Sequence, residues 1–203
     1  MPRLERFFPS TGAKDWTSGT FGGGGSGVTL PTLEATGGLS AFYVSVDDPT
    51  KLTVVHKFNE SDNFVVTANP DSIAVDVLLV AGGGSSKPGY NSSAIWFASG
   101  GGGAGGVRTL TGLGAGVGTY GIVIGAGANA GQNDGNDSSA FGYTASGGGY
   151  GGRPTGNPGG SGGGGGMSGG VGGSGNSGGY SPVEGYAGGN AGVKKVQPAL
   201  FLR

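Results

Sequence analysis

Glycine supplies 53 of the 203 residues, where an average protein has about 7%. Much of it lies in one tract, residues 147–192, "GGGYGGRPTGNPGGSGGGGGMSGGVGGSGNSGGYSPVEGYAGGNAG". Such a tract cannot bury a side-chain core of its own. Two states are open to it. It is a flexible Gly/Ser linker, or it forms left-handed extended helices of three residues per turn whose bare backbones pair with one another. Gly160, Gly163, Gly166, Gly169, Gly172, Gly175 and Gly178 recur at every third position. On a three-fold helix they make one edge without side chains, and this favours packed polyglycine helices. A collagen-type helix fits less well, because no proline falls between Ser161 and Ser181 to stiffen it.

A shorter glycine run follows an apolar stretch in "DVLLVAGGGSSKPGY", residues 76–90. A phosphate-binding loop needs Gly, four residues, Gly, Lys and then Ser or Thr, leading into a helix. Here Lys87 follows Ser86, the turn pair Pro88-Gly89 comes next, and "YNSSAIWFASGGGGAGG" carries no helical stripe. The nucleotide-binding reading fails. Gly82–Gly84 instead marks where a strand enters a first glycine segment, and Gly100–Gly106 the way back.

The rest of the chain reads as short strands. "AFYVSV", "LTVVHKF" and "NFVVTA" are β-branched or aromatic and are separated by turn clusters. "SIAVDVLLVA" puts Ile73, Val75, Val77 and Leu79 on one face and Asp76, Leu78 and Val80 on the other. "GVRTLTGL", "TYGIVIGA" (Tyr120, Ile122 and Ile124 on one face) and "SSAFGYTASG" continue the series. The expected fold is all-β: an antiparallel β-sandwich of jelly-roll or TNF-like type joined to a polyglycine-II helix bundle. The expected organisation is an extended docking arm at 1–40, a sandwich at 41–146 with a glycine-rich insertion at 82–106, the glycine tract at 147–192, and a strand or tail at 193–203.

Charge and chemistry narrow the function. The formal net charge is −1 and only 11% of residues are charged, so no basic field attracts nucleic acid or an anionic membrane. Arg108 and Arg153 are the only basic residues from Gly100 to Gly192, too few for an Arg-Gly-Gly nucleic-acid tail. Cysteine is absent, which excludes disulfides and thiolate metal sites. No apolar stretch approaches the ~20 residues of a membrane span, and the first residues lack the apolar core of a secretory leader. No catalytic, metal or cofactor site is expected. His56, the single histidine, lies inside a strand and reads as a packing residue. Asp47-Asp48 before Pro49 reads as a turn. "NDGND", residues 133–137, lacks the spaced ligands and distal glutamate of a calcium loop and reads as an Asx-rich turn.

The pieces "VVHKFNESDNFVVTANPDSIAVDVLLVAGGG", "GGGGAGGVRTLTGL" and "GTYGIVIGAGANAGQNDGNDSSAFGYTASGGGYGG", followed by the long glycine tract, together resemble the glycine-rich domain of bacteriophage tail-fibre and related virion proteins over residues 53–192. A similar arrangement occurs in the extracellular glycine-rich region of receptors of the anaplastic lymphoma kinase type, where a TNF-like jelly roll meets polyglycine helices. The missing cysteines and leader set that reading aside. The phage resemblance implies a non-enzymatic, trimeric protein on the virion exterior that attaches to a host receptor, a glycan among the candidates. The matching receptor-contacting positions are Tyr90, Ile95, Trp96 and Phe97 in the first insertion and Tyr150, Arg153, Tyr180 and Tyr186 in the long tract. Phe7, Phe8, Trp16 and Phe21 would anchor the arm to other virion proteins. The alternative is a purely structural connector, head-fibre or decoration protein without a receptor role. The last residues, "VKKVQPALFLR", depart from the Val/Ile alternation with which such domains end.

Overall fold

The computed structural model describes residues 33–44, 52–92, 95–167 and 169–192. Among these the protein is all-β, with eleven strands and no helix. In chain order they are β1 Glu34–Thr36, β2 Leu39–Val44, β3 Leu52–Lys57, β4 Asp62–Ala68, β5 Ala74–Val80, β6 Tyr90–Ser92, β7 Ile95–Phe97, β8 Val107–Gly114, β9 Gly118–Ile122, β10 Ser138–Ala140 and β11 Tyr143–Ala145. One three-stranded sheet has the order β1-β4-β9; the other strands pair as β2-β3, β5-β8, β6-β7 and β10-β11. Every strand pair is antiparallel.

The alternation read from the sequence sets the faces. On β5, Leu79 is buried and Val75 and Val77 half-buried, while Leu78 and Val80 stand out to solvent. On β9, Ile122 is buried and Tyr120 packs against the same core, as does Ile124 two residues beyond the strand. The core is completed by Phe64 and Val66 of β4 and by Ala81, Ala115, Ala140 and Ala145. Phe64 is its hub. His56 meets it edge-on at 5.1 Å, Phe141 lies 5.9 Å away, and Phe141 stacks on Tyr120 at 4.3 Å. Half of the buried apolar residues are alanine. Apolar transfer at about 25 cal/mol per Å² therefore rests on a few side chains and does not extend into the glycine segments.

Two expectations change here. "SSAFGYTASG" is a hairpin, not one strand. Phe141 (φ 52°) and Gly142 (φ 79°) are both left-handed, the backbone of a two-residue type I′ turn. Phenylalanine is an unusual occupant of that position, and its stacking on Tyr120 helps hold it there. The sheet also begins earlier than residue 41: β1 pairs with β4, so the end of the stretch assigned to an arm belongs to the strand layer. The expected anchor residues Phe7, Phe8, Trp16 and Phe21 and the terminal strand at 193–203 lie outside the described residues.

Glycine segments occupy the space beside the strands, and over residues 146–152 and 156–167 their backbone hydrogen bonds can be accounted for amide by amide. Gly100, Gly103 and Gly106 donate to Gly152, Gly149 and Ser146. Gly148 and Gly151 donate to Gly82 and Ser85, and Gly149 and Gly152 to Ser161 and Gly164. Ser161 and Gly164 donate to Ala104 and Gly101, and Gly162 and Gly165 to Tyr186 and Gly189. Each series advances by three residues, and each addresses a different neighbouring segment. Every amide from Ser146 to Gly152 is thereby paired, the remaining ones with the side chains of Glu184, Asp137 and Asp134. The same completeness holds from Gly156 to Met167, where Pro158 has no N–H to pair. Buried amides require partners, and here the partners are other glycine segments.

The every-third glycine row does not form one edge. Met167 (φ 60°) and Gly169 (φ 78°) reverse the chain, and Gly173 and Asn176 on the returning segment donate back to Gly163 and Gly160. Gly160, Gly163 and Gly166 are buried on the first limb, whereas Gly172 approaches the Gly188 carbonyl on the second.

Candidate functional site

The glycine segments carry loops to an end remote from the strands. β5 leaves its sheet at Val80, runs through residues 81–86 to the β6-β7 hairpin, and returns through 98–106 into β8. The two limbs are zipped by Ala81 N–H to Gly106 O at 3.0 Å and Gly84 N–H to Gly103 O at 2.8 Å. The hairpin, with Tyr90 opposite Phe97 and Asn91 opposite Trp96, therefore sits at the distal end of both limbs.

Two further turns meet it there. The turn holding Arg153 is drawn in by Gly100 N–H to Gly152 O (3.0 Å), Gly166 N–H to Pro154 O (2.8 Å) and the Ser99 hydroxyl on the Gly152 carbonyl (3.1 Å). The turn at Met167–Gly169 is tied down by Met167 N–H to Ala98 O at 3.1 Å. Backbone pairing thus brings Tyr90, Ile95, Trp96, Phe97 and Arg153 to one end of the assembly. Arg153 is half-buried.

The other three expected positions lie elsewhere. Tyr150 is half-buried, its N–H donating to Asp134 Oδ1 at 2.8 Å. Tyr186 is 77% exposed on the flank, where its carbonyl accepts from Gly162. Tyr180 sits near the strands: its ring covers the Arg108 guanidinium at 3.7 Å and closes over Gly178. Arg108 also donates to the Thr144 carbonyl at 2.6 Å and approaches the Tyr143 ring at 5.7 Å. This arginine-tyrosine stack seals the seam between β8 and the glycine segments.

Sequence reasoning missed the carboxylates that finish the hydrogen-bond network. Glu184 is 4% exposed and accepts from Ser146 N–H at 2.8 Å and Gly178 N–H at 3.1 Å. It is the only acidic residue between Gly147 and Gly192, and that isolation was the available signal. In "NDGND", Asp137 accepts from Gly147 N–H at 2.7 Å, while Asp134 accepts from Tyr150 N–H and, at 2.6 Å, from the Asn157 side chain. These aspartates line the outer face of the segment that runs from Gly147 to Gly152.

The remaining motifs have local roles. The amides a phosphate would need are committed: Gly82 to Asn136 O, Gly84 to Gly103 O and Ser85 to Asn133 O. Lys87 donates to Gln132 Oε1 at 2.9 Å. His56 Nδ1 lies 2.7 Å from the Gly37 carbonyl. Among the described residues no group of three or more His, Cys, Asp or Glu side chains is placed to hold a metal ion.

A family model described as a glycine-rich domain matches residues 59–199, which includes β4 through the last glycine segment. No curated protein and no solved structure is significantly similar to the chain.

Proposed function

The chain belongs to the glycine-rich domain family, and from that membership and the backbone pairing above we propose that its glycine segments are polyglycine-II helices and that the protein is a virion fibre or fibre-tip component attaching to host cells. The three-residue step of the donor series supports the helix assignment. A three-fold extended helix makes no internal hydrogen bonds and points its amides outward in three directions, so a dry bundle of such helices must pair each amide with a neighbour. A jelly-roll-like arrangement of the strands would form the base, and three chains would make the working particle.

The observation that carries the attachment reading is the convergence of the β6-β7 hairpin with the Arg153 and Met167 turns at the distal end. Aromatic residues on rigid supports supply contact area at low entropic cost, and the paired backbone beneath them is such a support. Tyr90, Trp96, Phe97 and Arg153 form the receptor-contacting set in this reading, with Tyr186 on the flank. Tyr180 serves the seam instead.

Competition with intact particles tests it. Purified protein added to host cells is expected to reduce phage adsorption in a dose-dependent way, and Trp96→Ala with Arg153→Ala is expected to abolish the competition while leaving the circular-dichroism spectrum unchanged. A folded wild-type protein that labels virions but never competes would replace this reading by a structural virion part.

A further inference from the structure

We propose that residues 176–184 are a clasp that joins the strand layer and the long glycine tract into one cooperative unit, and that Asn176 is the residue that shapes it. The two parts are held by different forces. The strand layer has an apolar core around Phe64. The glycine segments rest on backbone pairing, in which each hydrogen bond adds little net stability. Parts built so differently open independently unless contacts bind them together. The described residues after Ala145 form no further strand, so the tract returns to the strand layer through contacts and not as a member of a sheet.

Residues 176–184 make such contacts on both sides. Toward the strands, the Glu184 carbonyl accepts from Val107 N–H, at the start of β8, at 2.9 Å. The Glu184 carboxylate accepts from Ser146 N–H, one residue past β11, at 2.8 Å. The Tyr180 ring covers Arg108 of β8 at 3.7 Å, and the same guanidinium donates to the Thr144 carbonyl of β11 at 2.6 Å. Toward the tract, Asn176 N–H donates to Gly160 O at 2.8 Å and Ser177 N–H to Gly159 O at 3.1 Å.

Asn176 sets the shape of the loop. Its backbone is left-handed at φ 55°, a conformation asparagine adopts more readily than most residues. Its half-buried side chain reaches forward along the chain. Nδ2 donates to Tyr180 O at 3.0 Å, and Oδ1 accepts from Tyr180 N–H at 3.1 Å and from Glu184 N–H at 3.3 Å. One side-chain amide thus holds the backbones of the two residues whose side chains grip the strand layer. Two glycines leave room for that grip: a Cβ on Gly178 would strike the Tyr180 ring, and one on Gly106 the Glu184 carboxylate.

Native-state hydrogen exchange of the full chain in sub-denaturing urea tests the clasp. Two sets of amides are followed: Gly162, Gly163, Gly165, Gly173 and Gly188 in the tract, and those of β4. In wild type the two sets are expected to exchange comparably slowly and to accelerate together as urea rises. Asn176→Gly keeps the left-handed backbone accessible and removes only the side-chain bonds. Tyr180→Leu removes the stack on Arg108 from the other end of the clasp. Each is expected to speed exchange of the tract set about tenfold while β4 is unchanged. Asn176 acts through Tyr180 and Glu184, so the double variant is expected to fall short of the product of the two single effects. Equal acceleration of both sets would overturn the clasp, because the parts would then stay coupled without it. Acceleration confined to residues 176–184, or none, would overturn it as well. Single effects that multiply in the double variant would overturn the role of Asn176.

Discussion

Gly163→Ala will lower the stability of the protein by about 3 kcal/mol, whereas Gly101→Ala will change it by less than about 0.5 kcal/mol. Both residues are in glycine runs, and composition does not separate them. Their surroundings do. A Cβ on Gly163 would overlap the carbonyl group of Tyr150, with the Gly149 carbonyl oxygen at 2.9 Å; a Cβ on Gly101 would meet nothing within 4 Å. Backbone atoms cannot rotate aside as a flexible side chain can, so the segments must separate. Gly163 also donates to Asn157 at 2.9 Å and accepts from Gly173 at 2.8 Å, and separation weakens both bonds. Urea denaturation of the two variants beside wild type checks this. Equal stabilities for the two alanine variants would mean that the segments are not packed against one another as described.

Glu184→Ala is expected to cost about 3 kcal/mol. Its carboxylate is buried and satisfies the amides of Ser146 and Gly178, which belong to different segments. Removing it strands the N–H of half-buried Ser146 and takes the acceptor from Gly178, which is itself exposed. Glu184→Gln keeps one acceptor oxygen but turns an amide NH₂ toward the other donor, so it should lose about half as much. Native-state hydrogen exchange gives the second readout: in Glu184→Ala the amides of Ser146 and Gly178 should lose protection before those of β4. A Glu184→Ala variant as stable as wild type would remove Glu184 from the network.

Much of the strand layer was legible because alternation of large apolar residues is a direct record of a two-sided strand. Val75, Val77 and Leu79 on β5, Tyr120 and Ile122 on β9, and Ile124 just beyond it face the core as their spacing requires. The β10-β11 hairpin was not legible, because its turn uses Phe141 where Asn or Asp would have signalled it. β1 was hidden for another reason: Glu34-Ala35-Thr36 has no apolar alternation and is a strand only because β4 pairs with it. In the glycine tract the period of three was visible, but not the reversal at Met167–Gly169, since Met167 carries no turn signal and Gly169 is one glycine among many.

The candidate site was legible only in outline. Aromatic and arginine residues in a glycine-built surface stand out by type, and Trp96 and Arg153 were singled out that way. That Tyr180 would cover Arg108 while Tyr186 stands out to solvent depends on which segments are neighbours. Such contacts are set by backbone pairing between distant residues, and glycine leaves no side-chain pattern from which to read it. The carboxylates were the missed clue. In a tract where amides outnumber other partners, Glu184, Asp134 and Asp137, with Asn176 and Asn190, are side chains that accept from amides not paired with another segment.

The central claim is that the glycine segments are held by amide-to-carbonyl pairing between segments, and hydrogen exchange resolved by residue across 146–167 tests it most directly. Slow exchange at Gly148, Gly149, Gly151, Gly152, Ser161 and Gly164, comparable to that of β4, is the predicted result. Exchange of these amides at the rate of an unstructured glycine chain, while β4 stays protected, would contradict it.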